Sequence, residues 1–177
     1  MADYRISKID AARRQLECAI RIYFNAGDSI SIHTLSAASR NVLLDLCNGR
    51  GLTSALLREE LLKHYVKPEH VKQVRDRYRQ AENFFKHADQ DPDGLLSFNP
   101  EGSEYFIFEA SEAYQLLTGE CTPHMLSFRT WWIAHNSFML ALVPEEARTA
   151  FKKFPYKPDQ RLLFFNESLP MWHSGAR

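Results

Sequence analysis

Thr122-Pro123 opens a segment that is apolar almost all the way round: Met125, Leu126, Phe128, Trp131, Trp132 and Ile133 leave it hardly any polar stripe. Thr122 suits an N-cap, and Pro123 suits the first helical position, where no backbone N–H is needed. A helix that is apolar on every side has to be surrounded by other elements, so this one is expected to be the central helix. In a chain of 177 residues that cover comes from the rest of a single domain.

The remaining segments read as further helices. Ile9, Ala12, Leu16, Ala19 or Ile20, and Tyr23 recur at helical spacing, and Asn25-Ala26-Gly27-Asp28 ends the pattern. Ser31 is expected to cap a second helix carrying Ile32, Leu35, Val42 and Leu46, with Gly49 just past its end. The centre of that helix, Ser36-Ala37-Ala38-Ser39, is small enough for a neighbour to approach closely. Thr53 is expected to cap a third, through Leu56, Leu57, Leu61 and Tyr65. Pro68 opens a fourth, with Val71, Val74, Tyr78, Ala81 and Phe85 as its apolar stripe and an end near His87–Asp89. Turns at 91–94 and 99–102 flank a short extended piece, Leu95–Phe98. A fifth helix runs from Tyr105 to Leu117 and is closed by Gly119. Pro144, Glu145 and Glu146 start another, through Phe154. Residues 155–177 hold three of the eight prolines and one apolar run, Leu162–Phe165, expected to dock on the bundle while the last few residues fray. The expectation is therefore an all-α, single-domain helical bundle of six or more helices over residues 1–177, with 155–177 as a docking C-terminal segment.

Composition narrows the class. No apolar run approaches the ~18 residues of a membrane span, and charges run through the first 24 residues, so neither a membrane segment nor a signal peptide is expected. Cys18, Cys47 and Cys121 are odd in number and widely spaced, which points to a reducing, cytoplasmic setting rather than a disulfide framework. Basic and acidic residues balance at 22 each, but unevenly along the chain. Residues 58–87 carry 8 basic and 5 acidic groups, whereas 88–120 carry 8 acidic groups and no Lys or Arg. Opposite charges facing each other inside the fold are the plainest reading of that asymmetry. An acidic surface for a basic protein partner, in a non-catalytic interaction module, is another.

The end of the fourth helix is the most informative stretch. At four-residue steps Arg79, Asn83 and His87 share one stripe, with Lys86 beside them, away from the apolar face. A solvated face with a Glu82–Lys86 pair accounts for these residues in structural terms. Phe84 lies near His87 on the wheel and implies that something covers the back of the helix there.

Several pieces carry a resemblance: Ala11-Ala12-Arg13-Arg14-Gln15-Leu16, Ala19-Ile20-Arg21, Ser31-Ile32-His33-Thr34-Leu35, Asn83 to Asp89, Leu117-Thr118-Gly119-Glu120 and Ala134-His135-Asn136. Together they resemble an uncharacterised, mainly bacterial family of helical proteins, which implies no activity. More distantly the chain resembles HEPN domains, compact and often dimeric helical bundles, many of them metal-independent ribonucleases. Their signature is an Arg and a His a few positions apart, which meet across the dimer cleft at the RNA phosphate. Arg58 and His64, and Arg129 and His135, have five residues between them and match that spacing; Arg79 and His87 have seven. Glu59 and Thr130 follow the two matching arginines in place of the Asn or His of the stronger signature. The resemblance implies a homodimer that binds RNA or a nucleotide without a cofactor. In a ribonuclease, His87 would exchange the proton, Lys86 and Arg79 would hold the phosphate, and Asn83 would orient His87.

Two metal arrangements are also readable. His33, His87 and His135 fall on three different predicted helices, and facing helices in bundles do build three-His sites for transition metals. Asp89, Asp91, Asp93 and Gly94 follow a helix in the manner of an EF-hand loop, with Leu96 at its apolar position, but Pro100 stands where the bidentate Glu belongs. No Gly-x-Ser-x-Gly and no phosphate-binding Gly-rich loop occurs. Cys18 and the Trp131-Trp132 pair are expected in the core.

Overall fold

The computed structural model describes residues 3–87, 89 and 91–175. Among them lie nine α-helices, one 3-10 turn and no strand, an all-α bundle. Ser7 caps α1 (Lys8–Phe24) by accepting from the Asp10 N–H at 3.1 Å. The helix buries Ala12, Leu16, Ala19, Ile20, Tyr23 and Phe24, so both spacings at 19 and 20 are used. The turn after it depends on Gly27, where a Cβ would stand 2.6 Å from Ile22 Cγ2.

α2 (Ser29–Gly49) starts earlier than Ser31 would place it. Asp28 is the N-cap, and its carboxylate accepts from the Ser31 N–H at 2.7 Å. A charged acceptor at a helix N-terminus gains from the helix dipole as well as from the hydrogen bond, so Asp28 wins over the serines that follow it. The small centre of α2 does admit a neighbour: Ser36, Ala37 and Ser39 are buried, and the Ser39 hydroxyl donates to the Ala12 carbonyl of α1 at 2.8 Å.

α3 (Arg58–Tyr65) begins five residues beyond Thr53, and its N-cap, Leu57, offers no side-chain acceptor. α4 (Pro68–Lys86) begins at Pro68 as expected, and its apolar stripe is only half-buried; no residue of this helix is fully buried. It rests mainly on α2. Leu95–Phe98 is irregular, with Leu95 wholly exposed and Phe98 turned in. α5 (Gly102–Thr118) ends at Gly119, whose φ of +76° is a left-handed cap.

α5, rather than the segment after Thr122, is the central helix. Every residue from Phe106 to Tyr114 is buried, and α1, α2 and α6 (Pro123–His135) all pack on it. α6 buries Met125, Ser127, Phe128, Trp131 and Trp132, whereas Leu126 and Ile133 are half-exposed. Two carboxylates, Glu109 and Glu112, conceal the central position of α5 in the sequence. Asn136 then caps a short helix that the pattern did not predict, α7 (Ser137–Leu142), followed by α8 (Glu145–Lys152). Residues 158–160 form the 3-10 turn, and α9 (Arg161–His173) docks through Phe164 and Phe165. Phe165 stacks on Phe24 of α1 at 4.4 Å, and Phe164 meets Trp131 of α6 at 5.4 Å. No helix among the described residues is long and apolar enough to cross a membrane.

Candidate functional site

Part of the charge asymmetry along the chain is matched inside the bundle. Glu109 of α5, 1% exposed, accepts from Arg40 Nε of α2 and from the backbone N–H of Arg58 at 2.7 Å. That N–H is the first of α3, so a carboxylate from a distant helix caps α3 where Leu57 cannot. Glu112, one turn further along α5, pairs with Arg129 of α6. Two of the eight acids of the acidic stretch therefore face arginines from other segments, whereas Asp89, Asp91, Asp93, Glu101 and Glu120 are exposed.

Glu109 thus takes one guanidinium, that of Arg40, and one backbone N–H, that of Arg58, whose own guanidinium lies elsewhere. Arg40 lies over the Phe106 ring at 5.1 Å and Arg58 over the Tyr78 ring at 5.7 Å. Arg40 Nη1 donates to Asn41 Oδ1 at 3.1 Å, and Arg58 Nη2 reaches Glu59 only at 3.4 Å. Glu59 also accepts from both Nε and Nη2 of Arg75. Arg40 Nη2 and Arg58 Nε are buried and have no acceptor. Burial, and next the neighbouring Arg40 charge, draws the Arg58 pKa below the usual arginine value; Glu109 and Glu59 oppose that.

Arg58 is also the shared wall of two clefts. The polar one, about 800 Å³, lies between α2 and α4. Arg40, Asn41 and Asn48 line it from α2, and Lys72, Arg75, Arg79 and Asn83 from α4. Four acids line it too, but two of them are engaged: Glu59 with Arg75, and Glu82 with Lys86 at 2.6 Å and Asn41 at 2.5 Å. The second cleft, about 910 Å³, is lined by aromatic residues of α1 and α3 to α7, with Glu104 and Arg161 among its polar lining residues. Burial raises the Glu104 pKa above the ordinary carboxylate value.

The four residues of the predicted stripe part company here. Arg79 and Asn83 line the polar cleft, Lys86 is held by Glu82 next to it, and His87 does not line it. α4 stops at Lys86, and His87, at φ −127° and ψ 84°, leaves the helix while its N–H donates to the Asn83 carbonyl at 3.0 Å. The four-residue step therefore no longer governs where His87 stands. Phe84 is half-buried and meets Phe85 edge-on at 6.0 Å; Phe85 in turn packs on His33 and Phe98.

The three histidines do not converge. His33 is buried among Phe85, Phe98 and Phe106, with Nδ1 3.0 Å from Ser103 Oγ and Nε2 without a partner. Both ring nitrogens of His135 face carbonyl oxygens, Trp131 at 2.9 Å and Tyr156 at 3.2 Å, so neither is turned to a metal. Among the described residues no group of three His, Cys, Asp or Glu side chains could hold a metal ion, in the Asp-rich turn or elsewhere. Ala88 and Gln90, inside the stretches that carried the family resemblance and the calcium-loop reading, lie outside the described residues. The two Arg–His spacings that fit the HEPN signature fall in different surroundings. Arg58 is buried at the start of α3 while His64 is exposed near its end, and Arg129 is taken by Glu112 and by Gln115 at 2.5 Å.

Sequence reasoning missed Arg40 altogether and weighed Arg58 only for its distance from His64. Two carboxylates within an apolar helical run, in a stretch of chain without cations, were the available signal for both. No protein-family model, no curated protein and no solved structure matches the chain.

Proposed function

We propose that this all-α bundle is a HEPN-like module that binds RNA or a nucleotide through phosphate, in the polar cleft between α2 and α4. One observation carries the reading: Arg40, paired with buried Glu109, and Arg58, which reaches Glu59 only at 3.4 Å, keep two donors, Arg40 Nη2 and Arg58 Nε, without an acceptor. Guanidiniums are the side chains best matched to phosphate oxygens, and a partly desolvated one gains more from an anion than an exposed one does. Arg79, Lys72 and Asn83 extend the same wall along α4. The acids interspersed with them favour a few discrete phosphate contacts over a broad attractive field. The proposal is for binding and not for cleavage, because His87 stands outside the cleft lining.

The test is the affinity of a labelled single-stranded RNA across a salt series. Each phosphate contact contributes a slope of about −0.7 in log K against log salt for single strands. Lys72→Gln/Arg79→Gln should weaken binding and reduce the slope by about 1.4, the share of two contacts. Affinity that ignores salt, or that survives the double substitution intact, would refute the reading. Sedimentation of the free protein decides the homodimer that accompanies it.

A further inference from the structure

We propose that the aromatic cleft on the other face of Arg58 seats an unstacked nucleobase of the same ligand; this rests on the phosphate reading of the polar cleft. The cavity is within the ~300–1,000 Å³ range of small-molecule sites and has the usual make-up of one, apolar walls with a few polar groups. Aromatic residues make up much of its lining. Tyr105 lies 6.0 Å from Trp132 and 5.9 Å from Tyr78, and at the mouth Tyr65 meets Phe138 at 5.2 Å. Such surfaces bind flat heteroaromatic rings by stacking, and every base has a π-face.

The polar groups fit a base better than an isolated anion or a plain hydrocarbon. Glu101 and Glu104 offset Arg58 and Arg161 in the lining, so the cavity does not favour net negative charge. Glu104 and Asn99 are among its lining residues, and a carboxyl and an amide are suited to the amino and carbonyl edge of a base. The Tyr105 hydroxyl is buried with no partner. Arg58 joins the two clefts, and a nucleotide is the ligand chemistry that carries an anion and an aromatic ring a short covalent distance apart.

The test compares an adenosine pentamer with the same ribose-phosphate chain lacking bases. The base-bearing oligomer should bind at least about tenfold more tightly, the effect of stacking one base. Tyr65→Ala/Phe138→Ala removes two rings that are exposed at the mouth and should bring the ratio of the two affinities toward one. Glu104→Gln keeps the shape and should lower the ratio without abolishing it. Equal binding of the two oligomers by the unmodified protein refutes the base seat and leaves the phosphate site standing. An unchanged ratio in the double variant refutes it as well. Failure of both oligomers to bind removes the base seat together with the reading it rests on.

Discussion

Glu109 is buried at the centre of α5 and satisfies two groups at once, the Arg40 guanidinium and the first N–H of α3. Glu109→Leu leaves Arg40 buried without its carboxylate and uncaps α3 at the Arg58 N–H. Breaking a buried ion pair from one side costs ~3–5 kcal/mol, because the charge left behind is uncompensated. For a chain of this size that corresponds to a fall of roughly 6–20 °C in Tm, at about 2–4 °C per kcal/mol. Glu109→Gln retains a carbonyl oxygen for the Arg58 N–H and loses only the charge, so its cost should be smaller, ~1–3 kcal/mol. Arg40→Met/Glu109→Leu removes both charges and fills the space with apolar atoms, and should be more stable than Glu109→Leu alone. Urea unfolding of the unmodified protein, Arg40→Met, Glu109→Leu and the double variant, read at a shared m-value, gives the coupling directly, with Glu109→Gln measured alongside. A cost below about 1 kcal/mol for Glu109→Leu, or strict additivity in the double variant, would show that Glu109 is not the keystone of these three helices.

His33 makes stability depend on pH. Burial lowers its folded pKa, with Glu82 acting against that and Lys86 with it, so the unfolded chain binds the proton more readily. Its contribution is complete above the unfolded value of about 6.5 and is lost as pH falls from there toward the lower folded pKa. Urea midpoints between neutral and mildly acid pH should fall, and His33→Gln should flatten that slope; an equally steep slope in the variant would move the effect to another group. Phe24 packs against Phe128, Trp131, Phe164 and Phe165, and Phe24→Ala should cost ~3–5 kcal/mol in the same assay, a loss under 1 being incompatible with that packing. Gly119→Ala puts a side chain at φ +76°, with a cost of about 1–2 kcal/mol from backbone strain alone, since nothing crowds the added methyl. Dialysis against a chelator should leave Tm unmoved, given where His33 and His135 point their nitrogens.

What could be read from the sequence was local, and what could not depended on contacts between distant segments. Thr122-Pro123, Pro68 and Gly119 mark their helix ends correctly because a cap and its helix lie within a few residues. Thr53 fails as a start because α3 is capped by Glu109, some fifty positions away, and no spacing rule reaches that far. The same long-range pairing explains why the central helix was misplaced. A segment with two carboxylates scores as half-solvated, yet Glu109 and Glu112 are buried because Arg40 and Arg129 come to meet them. It also explains the candidate site. Arg79 and Asn83 were visible as a stripe on α4, whereas the arginines that give the cleft its chemistry stand on α2 and α3 and look ordinary in their own segments. The stronger clue was an absence: from residue 88 to 120 the chain supplies no cation, so any acid that α5 buries has to draw its counter-charge from other helices. Arg40 comes to Glu109, while the Arg58 guanidinium beside it reaches only Glu59, a carboxylate it has to share with Arg75, and this incompletely matched charge at the wall of a cleft is what the phosphate proposal rests on.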